Sequence, residues 1–195
     1  MEFTVLETAE EVAAAAAGEM AAAIQSGAAR TLVLAGGSTP KRAYELLADI
    51  PGVAWGRVTV LFGDERCVPP GHADSNYRMA REALLDRVAP ATVHRMPAEL
   101  GPDEGAALYS PVVASLAPLD FVLLGVGEDG HTASLFPGHA AVNAKGWALG
   151  IHDSPKPPPE RVTLTCQSCG RHASYIERGP TAPRDETMDP HIVRL

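Results

Sequence analysis

Three short apolar runs, each ending at a glycine, constrain this chain more than any other feature. They are TLVLA at 31–35, VTVLF at 58–62 and LDFVLLGV at 119–126. None alternates polar with apolar residues, and all are rich in aliphatic or β-branched side chains. A strand that is apolar on both faces has to be covered on both faces. That is the situation in a parallel sheet packed between helices.

The stretches between the runs read as those helices. Residues 9–29 are Ala-rich and lack proline, and Thr8 with Glu11 three positions later fits a capping box. Residues 41–49 place Ala43, Leu46 and Leu47 on one face; Pro40 suits the first helical position and Pro51-Gly52 ends the helix. Residues 76–88 place Met79, Ala83 and Leu84 on one face. Residues 104–116 read as a helix that Pro111 should split or bend. A short helical turn is expected at 132–136 and a fourth strand at 147–151. The alternation of strand and helix predicts an α/β, three-layer Rossmann-like domain, with a mostly parallel sheet and helices on both faces.

With 195 residues, 46% hydrophobic and 21% charged, the chain can bury one substantial core. Its net charge of −8 argues against nucleic acid and anionic membrane as partners, since both require a positive surface. An anionic small molecule would then need a local positive pocket. No basic leader precedes an apolar core at the N-terminus, and the apolar runs are too short to span a bilayer. Three cysteines make no disulfide framework. A reducing cytoplasm is the expected location.

In parallel sheets of this kind ligands sit beyond the carboxyl ends of the strands. Three polar segments fall there: Gly36-Gly37-Ser38-Thr39, Gly63-Asp64-Glu65-Arg66 and Gly127-Glu128-Asp129-Gly130-His131. The first can cradle a phosphate with backbone N–H groups at a helix N-terminus, or be an ordinary capped turn. The second can border a cleft, where Arg66 would pair with a phosphate or carboxylate, or be a solvated loop with a local ion pair. In the third, His131 can accept a proton at neutral pH with Asp129 orienting it, or it can cap a short helix. The other histidines are scattered, and no metal-ligand spacing is present. Cys166 and Cys169 form a lone CxxC without a second pair, which reads as coincidence. No Gly-x-Ser-x-Gly elbow supports a serine hydrolase.

Taken in series, LVLAGGSTPKRAYELLA, VTVLFGDERCVPPGHADSNYRMAREALLDRV, LDFVLLGVGEDGHTASLFPG and DSPKPPPERVTLT resemble the 6-phosphogluconolactonase family in order and spacing. The related glucosamine-6-phosphate deaminases resemble the chain at the GG-S/T loop, at Asp64 and at Asp-Gly-His. The resemblance implies hydrolysis of 6-phospho-D-glucono-1,5-lactone in the oxidative pentose phosphate pathway, without metal or other cofactor. It implies His131 as general base and Asp129 as the carboxylate that orients it or a substrate hydroxyl. Gly36, Gly37, Ser38 and Thr39 would line the substrate site. Arg66 and Arg161 would hold the sugar phosphate or its reacting end. Asp64 matches the position of the deaminase base and would line the substrate site or be structural. The partner would be a phosphorylated sugar lactone, bound by a monomer or homodimer. An amino sugar phosphate isomerase and a truncated non-catalytic relative are the competing readings.

After Thr165 the resemblance stops. Residues 1–165 read as the lactonase-like domain and 166–195 as an atypical tail, altered or frameshifted. No run of four apolar residues occurs there, and no core strand is expected from it.

Overall fold

The computed structural model describes residues 6–169, together with the backbone of 173–177. Helix α1 (Ala9–Gln25) opens on the expected box: Thr8 Oγ1 accepts from the Glu11 N–H at 3.2 Å, and Glu11 Oε2 accepts from the Thr8 N–H at 2.9 Å. Its buried stripe is Val12, Ala13, Ala16, Ala17, Met20, Ala21 and Ile24, the three-and-four spacing of one helix face. It stops at Gln25, earlier than expected, because Gly27 takes a φ of 77° and turns the chain into β1 (Thr31–Leu34). Helix α2 (Ser38–Asp49) packs against α1. It starts earlier than the sequence suggests. Pro40 therefore sits within the first turn, where no helical N–H partner is lost.

Strand β2 (Thr59–Phe62) pairs with β1 in parallel, as do β4 (Thr92–Val93) with β2 and β5 (Phe121–Val126) with β1. Helix α3 (Asn76–Ala80) continues through one wide π turn at Arg81–Leu85. Helix α4 (Pro102–Leu116) begins on Pro102 and runs unbroken through Pro111, which lies on its exposed side. The expected split does not occur. The parallel sheet and its helices share one continuous core, so the α/β, three-layer reading holds.

Two further elements depart from the sequence reading. Asp64–Arg66 is a strand, β3, and forms a second, antiparallel sheet with β7 (Arg161–Leu164) and β6 (Ala148–Ile151), in the order β3-β7-β6. Strands β2 and β3 are one chain path bent at Gly63. The Gly63 N–H donates to Leu34 O at 2.9 Å in the first sheet, and its carbonyl accepts from the Leu164 N–H at 2.8 Å in the second. The segment 132–136 is not helical. Thr132 bridges Val126 and Leu135, and Ala133 takes a φ of 49°, so the chain folds back on the end of β5.

The tail also differs from expectation. After a short helix α5 (Cys166–Cys169), Ala173–Glu177 forms strand β8, parallel to β5 from Val122↔Ala173 to Val126↔Glu177. The large sheet therefore runs β4-β2-β1-β5-β8. An ASYIE segment with only one aliphatic residue of β-branched type escapes a search for apolar runs, yet it completes this sheet edge. The rest of the proposed tail lies outside the described residues.

Candidate active site

The carboxyl ends of β1, β2 and β5 open into a cleft of about 210 Å³, lined among others by Gly36, Gly37, Asp64, Arg66, His131 and Arg161. All six are expected site residues. Ser38 and Thr39 stand beside the cleft in the first turn of α2 rather than in its wall, and Asp129 stands behind His131.

Two glycines make the first wall. Gly37 has a φ of 113°, a conformation that favours glycine. At Gly36 a Cβ would lie 2.2 Å from Asn76 Oδ1, so the backbone can approach Asn76 only without a side chain. The buried Tyr44 hydroxyl fixes the height of this loop. It accepts from the Ala35 N–H and donates to the Ala35 carbonyl, both at 2.8 Å. Tyr109 does the same one strand away: its hydroxyl accepts from the Phe62 N–H at 2.9 Å, just before the bend at Gly63. Burial pushes both phenols up, so they remain neutral pins.

The bend places Asp64 between the two sheets, 5% exposed. Both of its oxygens are taken. Oδ1 accepts from Asn76 Nδ2 at 3.0 Å and Oδ2 from Ser134 Oγ at 2.7 Å, with Arg161 Nη1 at 3.9 Å. Arg161 is equally buried and is committed to a loop. Its Nε donates to Pro158 O at 3.0 Å, and Nη2 donates to Lys156 O at 3.0 Å and Pro157 O at 3.1 Å. Burial lowers its pKa, and Asp64 opposes that change. Arg161 thus shapes the cleft wall and curls the Lys156–Pro158 turn, with only Nη1 left toward Ser134 and Asp64.

Glu65 does different work. One oxygen accepts from the N–H groups of Arg66 and Asn76 at 2.8 Å, and the other from the Tyr77 N–H at 2.8 Å and the Ser75 hydroxyl at 3.0 Å. It thereby ties both ends of the 66–75 loop. Burial raises its pKa against the pull of those N–H groups. Arg66 enters the cleft from this loop, with Nη1 donating to Asp74 O at 2.7 Å and its buried Nε without a protein partner. Of the two arginines it has the greater capacity left for a ligand.

His131 faces this wall from the β5 side. Its Nδ1 is hydrogen-bonded to Asp129 Oδ1, which leaves Nε2 for proton transfer. Lys156 Nζ reaches the same carboxylate oxygen at 3.4 Å. At Gly127 a Cβ would fall 2.2 Å from the imidazole, so the ring occupies space that only glycine leaves open. Burial, the largest single influence, would push the Asp129 carboxyl up; the imidazole hydrogen bond, the charge attraction to the imidazole and backbone N–H groups together outweigh it and hold the carboxyl at about 2, below its ordinary 3.8. Because the folded value is depressed, the stability it contributes is full above about pH 4 and is lost as the pH falls toward about 2. Asp129 therefore stays ionised throughout the range in which a histidine base works. If His131 acts as a base, Asp129→Asn should lower the rate, because the amide cannot stabilise an imidazolium as the carboxylate does. A wild-type rate in Asp129→Asn would contradict this assignment.

Asn76, Ser134, Tyr44, Tyr109, Phe136 and Lys156 were not legible as site residues. They lie in helices or turns and reach the site only through the fold. The DSPKPPPER run was visible, but nothing in it marks Lys156 as a neighbour of Asp129.

Comparisons with known proteins identify the family and the fold. Residues 5–173 match the family model described as glucosamine-6-phosphate isomerases/6-phosphogluconolactonase. A 6-phosphogluconolactonase of Mycobacterium leprae is 40% identical over 180 residues, covering 80% of this chain and 72% of that protein. A probable chloroplastic 6-phosphogluconolactonase 3 of Oryza sativa subsp. indica is 40% identical over 162 residues, covering 73% of this chain and 50% of that protein. The chain thus spans about half the length of the plant relatives it matches. The crystal structure of a 6-phosphogluconolactonase from Thermotoga maritima superposes with a TM-score of 0.78 at 28% identity, covering 89% of this chain and 81% of that one. A monomeric glucosamine-6-phosphate deaminase, at 20% identity and a TM-score of 0.68, shares the fold.

Proposed function

We propose that this chain, which belongs to the glucosamine-6-phosphate isomerase/6-phosphogluconolactonase family, hydrolyses 6-phospho-D-glucono-1,5-lactone to 6-phospho-D-gluconate in the oxidative pentose phosphate pathway. The observation that carries the reading is the His131–Asp129 pair facing a cleft whose far wall presents Arg66. His131 Nε2 takes a proton from water as the water oxygen attacks the lactone carbonyl carbon. Asp129 stabilises the imidazolium that forms. The tetrahedral intermediate then collapses, the ring C–O bond breaks, and the imidazolium returns its proton to the departing ring oxygen. Arg66 holds the phosphate or the reacting end of the sugar, while Gly36 and Gly37 let the backbone approach it. Ser38 and Thr39 stand at the rim of the same site. The reading requires no metal or other cofactor, because one placed base suffices for a strained ester.

The commitments of Asp64 argue against the isomerase reading. A base that moves a proton between sugar carbons needs a free carboxylate oxygen, and here Asn76 and Ser134 hold both. The non-catalytic reading rested on the atypical tail after Thr165, and β8 is a strand that this tail was expected to lack. The partner is a phosphorylated sugar lactone, with neither nucleic acid nor membrane involved, in keeping with a net charge of −8. The protein works as a monomer or homodimer. Among the described residues no helix is long and apolar enough to cross a membrane. Three unpaired cysteines suit a reducing cytoplasm.

The test is a pair of substrates. The chain should accelerate hydrolysis of freshly prepared 6-phosphogluconolactone and release no ammonia from glucosamine 6-phosphate. Ammonia release without lactone hydrolysis would overturn the reading in favour of the isomerase.

A further inference from the structure

We propose that Phe136 is a positioning residue for His131, holding the imidazole at a fixed tilt in the cleft and joining it to Arg161. The inference rests on His131 being the base. Phe136 is 3% exposed, and its ring stacks on the imidazole with centroids 4.7 Å apart and planes 29° from parallel. The same ring has the Arg161 guanidinium carbon 5.9 Å from its centroid. One buried aromatic side chain therefore touches both the base and the buried cation of the opposite wall.

A hydrogen bond from Nδ1 to Asp129 fixes one atom of the imidazole but not its plane. The ring can still swing about the axis through that bond. Gly127 leaves the space that the Nδ1–Cε1 edge fills, and without a Cβ it offers no side chain to stop the swing. The flat face of Phe136 supplies the stop, because stacked rings resist tilting where an aliphatic side chain does not. Placement errors near 1 Å at a general base cost on the order of a hundredfold in rate. A partial loss of this restraint should cost about tenfold. The effect belongs to kcat, since the tilt of the base matters in the transition state more than in binding.

Phe136→Leu keeps an apolar side chain, though a smaller one, but removes the flat face, and Phe136→Tyr keeps the face. On lactone hydrolysis, Phe136→Leu should lower kcat about tenfold with KM near wild type, and Phe136→Tyr should recover most of kcat. The His131 Cε1–H proton resonance, displaced upfield by the stacked ring, should move downfield in the Leu variant and stay in place in the Tyr variant. If Phe136→Leu fails to fold, Phe136→Met replaces it. A wild-type kcat or an unmoved His131 signal in the Leu variant overturns the proposal, as does an equal loss of kcat in both variants. Were the wild-type chain active and His131→Ala inactive while Phe136→Leu kept full kcat, only this inference would fall. A wild-type chain without activity would overturn the base reading and this inference together.

Discussion

His131→Ala should lower kcat for lactone hydrolysis by about a hundredfold to ten-thousandfold, toward the spontaneous rate, with little change in stability. The loss is large because the described residues of the site offer no second base. Asp129 is held as a carboxylate at about 2, far too weak a base to take a proton from water at neutral pH. Asp64 has both oxygens occupied, and Glu65 spends its carboxylate on the 66–75 loop. The stability cost is small because the imidazole is a lining group, 17% exposed, rather than part of the main core cluster. Kinetics of the purified variant, beside its denaturation midpoint, measure both quantities. A variant with a tenth or more of wild-type kcat would place the base elsewhere.

Asp64→Ala should destabilise the fold by about 3–5 kcal/mol, the cost of leaving a buried cation without its partner. Arg161 is 4% exposed and Asp64 is the carboxylate that faces it. Removing Asp64 also strips the Ser134 hydroxyl and one Asn76 contact of their acceptor. The three carbonyls that Arg161 already engages place the result near the lower end of that range, because they keep the guanidinium solvated by dipoles. Such a loss is a large share of the ~5–15 kcal/mol typical of a domain. Asp64→Asn should cost less, since it keeps an acceptor for Ser134. Equilibrium denaturation of the two variants gives the comparison. A loss below about 1 kcal/mol for Asp64→Ala would mean that Arg161 does not depend on it.

The three central strands of the parallel sheet, β2, β1 and β5, were legible because they are apolar on both faces and each ends at a glycine; the two-residue β4 was not. TLVL, TVLF and FVLLGV appear in the structure close to where the pattern put them. Position along such a sheet brings Gly36, Asp64 and His131 together without any contact being known, since each follows a strand that points the same way. Of the second sheet only β6 was legible, as the strand expected at 147–151. Asp64–Arg66 carries three charged side chains and has no strand character of its own; it is extended because Gly63 hands it from one sheet to the pairing offered by Arg161–Leu164. Strand β8 was missed for the reverse reason. Residues Ala173–Glu177 lack a marked apolar run, and the pairing along β5 imposes the extended form. Nor could spacing reveal that Arg161 serves mainly as a clamp on three carbonyls, because the turn it closes exists only in the folded chain.

The most direct measurement follows proton release from freshly made 6-phosphogluconolactone with wild-type chain, with His131→Ala and with buffer alone. The account predicts a clear acceleration by the wild-type chain that His131→Ala loses. A folded wild-type chain no faster than buffer, or a His131→Ala variant as fast as wild type, would contradict it.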